Sequence, residues 1–120
     1  MDRKEKLQEL LDLIAESGQG SFLSVLKLFG SIPSVGWMSF PREGVTLCLD
    51  FPNLGSSTRK LFSQMEKMVL NHGGRLYPAK DMLMKGESFK TFYPNWEKFN
   101  QIRDPQFESS FWKRVMEKKI

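Results

Sequence analysis

The sequence has few of the residues that form disulfides and metal sites. It contains one cysteine, Cys48, and one histidine, His72, among 120 residues. A single cysteine excludes an intrachain disulfide, and one cysteine with one histidine cannot supply the four ligands of a structural zinc ion. We therefore expect no metal site. We interpret Cys48 as a small strand residue and His72 as a residue at a helix end.

Glycine-rich phosphate loops and long apolar runs are also missing. The chain has no G-x-G-x-x-G or Walker sequence, so we expect it to have no dinucleotide site of its own. No apolar run approaches the roughly 18 residues of a membrane span. The charged N-terminus lacks the apolar segment of a signal peptide. We therefore predict a cytoplasmic location, with any membrane association belonging to a full-length protein.

The composition is sufficient for one folded domain over residues 1–120. Forty per cent of the residues are hydrophobic, including ten phenylalanines and three tryptophans, which argues against disorder. The formal charge is +4, but the basic residues are scattered. The one dense cluster, at Lys113, Arg114, Lys118 and Lys119, is typical of a solvated helix end.

Hydrophobic periodicity predicts a mixed order of elements. Leu7, Leu10, Leu11 and Ile14 have the i, i+3, i+4, i+7 spacing of a helix, which Gly18 would end. Alternation or apolar runs predict strands, and a second apolar stripe predicts a second helix. The predicted order continues with a strand at 22–29, a connection at 30–43, strands at 45–51 and 75–77 on either side of a helix at 58–71, and a helical tail at 87–119.

This order predicts an α+β fold. A ferredoxin-like motif runs β-α-β-β-α-β, and the chain supplies all of it except the first strand. That strand would be central in the antiparallel sheet, with the helices on one face. We expect the gap either to close by re-pairing or to take a strand from another chain, for example in a strand-borrowing homodimer.

Alternation divides the predicted sheet into two faces. One face is apolar and is expected to pack on the helices; the other mixes apolar residues with a cation, a thiol and a carboxylate. Such a mixture suits a ligand or another domain lying across the sheet, or an ordinary amphipathic sheet with a snorkelling Lys27, and the pattern leaves both open. The first face has Phe22, Leu26, Leu28, Val45, Leu47, Leu49 and Leu76; the second has Leu23, Val25, Lys27, Phe29, Thr46, Cys48, Asp50 and Tyr77.

The residues of the mixed face argue against nucleic-acid binding. An RNA-recognition module carries stacking aromatics on its exposed central strand. Here the corresponding positions are Thr46, Cys48 and Asp50, with no aromatic ring and one anion. We therefore expect no nucleic-acid partner.

Several sequence blocks, in order over roughly residues 5 to 115, resemble the vanillyl-alcohol-oxidase type of FAD enzymes, which includes aldonolactone oxidases. The resemblance implies a two-domain enzyme, of which this chain is the C-terminal portion of the substrate (cap) domain. The FAD-binding domain would lie outside this chain and be its partner. The blocks are residues 22–30 (FLSVLKLFG), 39–41 (SFP), 47–52 (LCLDFP), 73–81 (GGRLYPAKD), 92–94 (FYP) and 103–105 (RDP).

The resemblance also implies a site and an activity. A sugar or sugar-derived alcohol would be oxidised at a CH–OH group by hydride transfer to FAD, and a reductase or epimerase subunit is an implied further partner. Lys80 and Tyr77 would be the catalytic residues, and the isolated chain would bind FAD poorly. The alternative is a stand-alone ferredoxin-like interaction module without catalysis. The resemblance places Leu23, Lys27, Phe29, Thr46 and Cys48 in the pocket over the flavin.

Overall fold

The chain has an α+β fold in a computed structural model that describes residues 1–80 and 83–117. Within those ranges it forms five α-helices and one two-stranded antiparallel sheet, as the α+β prediction required. Asp81, from the block at 73–81, and Lys118 and Lys119, from the basic cluster, lie outside the described residues. The elements are α1 (Arg3–Glu16), β1 (Ser24–Phe29), β2 (Gly44–Leu49), α2 (Ser56–Asn71), α3 (Gly86–Phe92), α4 (Trp96–Ile102) and α5 (Ser110–Met116), with a 3₁₀ turn at Pro78–Lys80.

Helix α1 begins with a reciprocal cap. The Asp2 carboxylate accepts from the backbone N–H groups of Lys4 and Glu5 at 2.8 and 2.9 Å, and the Glu5 carboxylate accepts from the Asp2 N–H at 2.7 Å. This capping box satisfies donors that the first helical turn leaves free. The predicted first helix is therefore confirmed, although none of its residues is fully buried.

The sheet is a hairpin with a defined register. Lys27 pairs with Thr46, and Val25 pairs with Cys48. Both strands are shorter than the predicted ranges of 22–29 and 45–51, because regular pairing ends at Ser24 and Leu49.

The predicted third strand at 75–77 is wrong. Residues 74–77 have no regular secondary structure, and the described sheet contains β1 and β2 alone. A strand is defined by pairing, and the side-chain pattern of a segment cannot supply the neighbour it must pair with. The ferredoxin-like arrangement therefore stays a prediction.

Helix α2 ends in a glycine motif, after which the chain continues into residues 74–77. Gly73 has a φ of 68°, a left-handed conformation that costs other residues energy. Its N–H donates to the Leu70 carbonyl at 3.0 Å, and the Gly74 N–H donates to the Val69 carbonyl at 2.8 Å. These two bonds form a Schellman cap, so the predicted end of the second helix is confirmed.

The buried core lies among the C-terminal helices. The predicted helical tail divides into α3, α4 and α5, with Pro94 between the first two. Aromatic rings of α3 and α5 meet edge to face, for example those of Phe89 and Trp112 at 5.9 Å between centroids. The fully buried cluster comprises Met84, Phe89, Phe92, Tyr93, Trp112 and Val115.

The outer strand of the hairpin, β1, is not covered by helices. The prediction that the apolar sheet face packs on the helices is therefore wrong for this strand. Phe22, Leu26 and Leu28 are 98%, 58% and 75% exposed. Helices α1 and α2 line a cavity with β2 but not with β1, so the helical layer stops short of these side chains. No helix formed by residues 1–80 or 83–117 is long and apolar enough to cross a membrane.

Candidate functional site

The register brings the mixed side chains together on one face of the hairpin. Cross-strand partners in an antiparallel pair point to the same side, so Lys27 and Thr46 share this face with Cys48. The Lys27 ammonium lies 4.7 Å from the centroid of the Phe29 ring, a cation–π distance. The Thr46 hydroxyl donates to the Lys27 carbonyl at 3.4 Å.

Leu23 extends the same face beyond β1. The Asp50 N–H donates to the Leu23 carbonyl at 3.4 Å and to the Ser21 hydroxyl at 2.8 Å, which continues the pairing past the regular strand. Leu23 and Cys48 are both exposed. The five predicted pocket residues therefore share one face, named here the open face, on which Leu23, Lys27 and Cys48 are exposed and Phe29 and Thr46 are half buried.

The two predicted catalytic residues follow α2. The Tyr77 ring packs edge to face on Phe40, with 5.3 Å between centroids and 62° between planes, and the residue is half exposed. Lys80 is exposed in the 3₁₀ turn. Tyr77 and Thr46 line one cavity, whose described lining does not include Lys80. The structure thus brings Tyr77 near β2, whereas Lys80 does not line this cavity.

That cavity, named here the central groove, has a volume of about 550 Å³. Its walls come from α1, α2, β2 and residues 73–77. The apolar part includes Leu7 and Leu10 of α1 and Val45 and Leu47 of β2, all of them half buried. Sequence periodicity indicated the apolar stripes but not that they would leave a groove between them.

A pair of arginines, which no sequence pattern indicated as a site, also lines this groove. The Arg75 guanidinium donates to the Ser39 carbonyl at 3.0 Å and lies 5.3 Å from the centroid of the Tyr93 ring. Burial lowers the pKa of Arg75, and the neighbouring Arg42 cation lowers it further. Arg42 itself donates to the Gly73 carbonyl. These bonds tie the loop at 30–43 to the segment after α2.

Tyr93 holds the same segment from the core side. Its hydroxyl donates to the Leu76 carbonyl at 2.6 Å, directly before Tyr77. Burial raises the pKa of the Tyr93 phenol to about 12, although the Arg75 cation opposes the shift. The resemblance block at 92–94 contained Tyr93, but no local pattern linked it to Leu76.

Comparison with known proteins identifies the family. A family model described as ALO, D-arabinono-1,4-lactone oxidase, matches residues 49–115, more than half of the chain. The decaprenylphosphoryl-beta-D-ribose oxidase of Mycolicibacterium smegmatis is 36% identical over 99 residues, which are 82% of this chain and 21% of that protein. An "uncharacterized protein in mprA 5′ region" of Streptomyces coelicolor is 30% identical over 100 residues, 83% of this chain and 27% of that protein.

The chain therefore spans about a fifth to a quarter of the length of these curated relatives. The match supports a correspondence to the C-terminal part of an FAD-linked oxidase. The chain belongs to the D-arabinono-1,4-lactone oxidase family of flavoprotein oxidoreductases.

Proposed function

We propose that this chain forms the substrate-side wall of an FAD-dependent oxidoreductase that oxidises a CH–OH group of a sugar or sugar-derived alcohol. The observation that carries the proposal is the open face, where polar and apolar side chains stand in register and are exposed or half buried on a chain of an oxidase family. The N-terminal FAD-binding domain is the partner that would cover this face. A reductase or epimerase subunit is a further proposed partner.

The open face fits one side of a flat, largely apolar ring with polar edges. Leu23 and Phe29 offer apolar area, and the Lys27 ammonium, Thr46 hydroxyl and Cys48 thiol offer polar groups at its borders. When bound, FAD would supply the hydride acceptor. The chain has no glycine-rich loop for the pyrophosphate, so we expect the isolated chain to bind FAD weakly.

Lys80 and Tyr77 are the proposed catalytic residues. Oxidation of a carbinol removes a hydride from carbon and a proton from oxygen. A fixed cation stabilises negative charge as it develops in a water-excluded site, and the exposed ammonium of Lys80 is available for this role. The Tyr77 hydroxyl would hydrogen-bond the substrate or position Lys80, because Phe40 holds its ring and Tyr93 holds the backbone before it.

The proposal is tested by Lys80→Ala in the intact enzyme, with rapid-mixing measurement of flavin reduction by substrate. We expect reduction to slow by about a hundredfold or more, the usual loss when an electrostatic stabiliser is removed, while FAD retention stays near that of the unmodified enzyme. Lys60→Ala is the matched control, because Lys60 is an exposed lysine on α2.

Two outcomes count against this proposal. Unchanged reduction kinetics in the Lys80→Ala enzyme would refute the role of Lys80. An intact protein that binds no FAD and oxidises no sugar alcohol would favour the alternative, an interaction module that uses the open face to dock a partner without catalysis. The exposed apolar residues of β1 would serve such docking equally well.

A further inference from the structure

A second cavity, named here the loop pocket, lies between the loop at 30–43 and the turn that joins α3 to α4. Its volume is about 350 Å³, within the range of roughly 300–1,000 Å³ that small-molecule sites occupy. The loop supplies one wall, residues 93–95 supply another, and Arg75 also lines the cavity. The described lining includes none of the predicted site residues, so the loop pocket is separate from the open face.

Two arginines bring positive charge to the loop pocket. Arg42 and Arg75 both line it, and the Arg42 cation is close enough to lower the pKa of Arg75. Neither forms an ion pair within the part of the chain that the structure describes. Glu43 belongs to the same lining, but its carboxylate pairs with Arg3 at 2.9 Å. The pocket therefore has an excess of positive charge that an anion would compensate.

The side chains of the lining also have hydrogen-bond donors that are not used. The Arg75 guanidinium donates to the Ser39 carbonyl, but its Nε is buried and has no hydrogen-bond partner among the described residues. A buried donor without an acceptor costs free energy, which an oxygen atom of a ligand would recover. Asn95 lines the same pocket, and its side-chain amide does not cap α4. The amide is therefore a further donor for a ligand.

The bonds from the arginines to backbone carbonyls do not account for the pair of charges. Arg42 donates to the Gly73 carbonyl and Arg75 to the Ser39 carbonyl, but a carbonyl has no net charge to offset the repulsion between two cations. Guanidinium groups bind phosphate oxygens through parallel N–H bonds. A phosphate monoester carries roughly 1.5 to 2 negative charges at neutral pH, which matches two cations better than the single charge of a carboxylate.

The opposite part of the lining is apolar. Trp37 is 46% exposed and lines the pocket together with Ile32 and Pro33. An aromatic ring of this kind offers a flat apolar surface to the organic part of a ligand. A bare phosphate ion would leave that surface uncovered, so the lining favours an ester over the free ion.

We propose that the loop pocket binds a small phosphate monoester, with Arg42 and Arg75 holding the phosphate group and Trp37 contacting the organic part. The Asn95 amide donates to a further phosphate oxygen. This site takes no part in hydride transfer, and the proposal does not depend on the proposed oxidation.

The test titrates the 120-residue chain with phenyl phosphate at neutral pH and constant ionic strength. Phenyl phosphate joins a phosphate group to an apolar ring. We expect a saturable shift of the Arg75 Nε–H signal in NMR spectra of isotope-labelled protein. Quenching of tryptophan fluorescence should have the same midpoint, and Trp37→Phe should abolish the quenching.

Two variants and a control separate the site from general charge effects. Arg42→Gln should raise the Kd for phenyl phosphate at least about tenfold, because a charge-assisted bond is lost. Asn95→Ala keeps both arginines and should raise the Kd by about threefold or more, the loss of a neutral donor. Arg59→Gln is the matched control, because Arg59 is an exposed arginine of α2 outside the pocket lining. It should leave the Kd unchanged, with circular dichroism confirming the fold of all three.

Four outcomes would overturn the proposal. Sodium chloride that shifts the Arg75 signal as phenyl phosphate does would show screening alone. Acetate that binds as tightly as phenyl phosphate would assign the site to a carboxylate, and inorganic phosphate that binds as tightly would assign it to the free ion. Equal loss of binding in Arg42→Gln and Arg59→Gln would remove the pocket from the explanation. None of these readouts requires FAD, so they are independent of the Lys80→Ala experiment.

Discussion

Replacing Tyr93 by phenylalanine should destabilise the protein in a pH-dependent way. The substitution keeps the ring, which is buried to 1% exposure, and removes the hydroxyl that donates to the Leu76 carbonyl at 2.6 Å. A carbonyl that loses its donor in a buried site costs about 1–3 kcal/mol. We therefore expect Tyr93→Phe to lower the free energy of unfolding by about 1–3 kcal/mol at pH 8.

The same hydroxyl predicts an alkaline effect of defined sign. The pKa of Tyr93 is about 12 in the folded state, against roughly 10 for an unfolded tyrosine. The folded state keeps the phenolic proton that the unfolded state releases, so the stabilisation is fully present below pH 10 and disappears as the pH rises to 12. Two pKa units correspond to at most about 2.7 kcal/mol.

Urea unfolding followed by circular dichroism from pH 8 to 11.5 measures both effects. Subtracting the Tyr93→Phe curve from the unmodified curve isolates the contribution of the Tyr93 hydroxyl. Tyr77→Phe is the matched control, because Tyr77 is the other tyrosine of the chain and is half exposed. Two results together would refute the reasoning. One is a change in the free energy of unfolding of less than about 0.5 kcal/mol at pH 8, the size of an ordinary surface effect. The other is a loss of stability with rising pH that is the same in Tyr93→Phe as in the unmodified chain.

Three further changes test the helical core and the open face. Gly86→Ala should cost about 1–3 kcal/mol in urea unfolding, because its Cβ would overlap the Val115 backbone carbonyl. Glu66→Ala should cost about 1–3 kcal/mol, since the buried Glu66 carboxylate accepts from the Ser88 hydroxyl and from a backbone N–H at the start of α3. Cys48 should react readily with an aromatic disulfide in the isolated chain, because it is exposed, and at least tenfold more slowly in the intact FAD-loaded enzyme.

Matched controls exist for the two substitutions. Gly20→Ala adds a methyl group with nothing within 4 Å and should be near neutral by comparison with Gly86→Ala. Glu16→Ala removes an exposed carboxylate at the end of α1 and should cost less than 0.5 kcal/mol, as surface changes usually do. Equal costs for the paired variants would contradict the packing or the hydrogen bonds, and equal Cys48 rates would contradict the covering of the open face.

Local patterns in the sequence were sufficient to predict helices α1 and α2, the two strands and the helical character of the C-terminal tail. The stripe that includes Leu7 and Leu10 follows from helical periodicity, and the face shared by Lys27, Thr46 and Cys48 follows from alternation that the register confirms. Such patterns depend on neighbours within a few residues. Predictions based on them therefore do not depend on where distant segments of the chain lie.

Features that depend on distant segments could not be predicted in this way. Residues 75–77 look like a strand, but pairing needs a second segment. Leu28 looks like a core residue, but its 75% exposure depends on how far the helical layer extends. The bond from Tyr93 to Leu76 joins residues 17 positions apart, and no local pattern encodes it. The catalytic roles of Lys80 and Tyr77 stay predictions.

The position of the core divides the chain into parts of unequal stability. The buried rings lie in α3 and α5 and in the residues that pack on them, whereas β1 is held by β2 and carries exposed side chains. A hairpin with so little burial opens at a lower free energy than the core around it. We therefore expect its strands to open while the helices stay folded, so the proposed docking of an FAD-binding domain would also have to supply the free energy that keeps the hairpin paired.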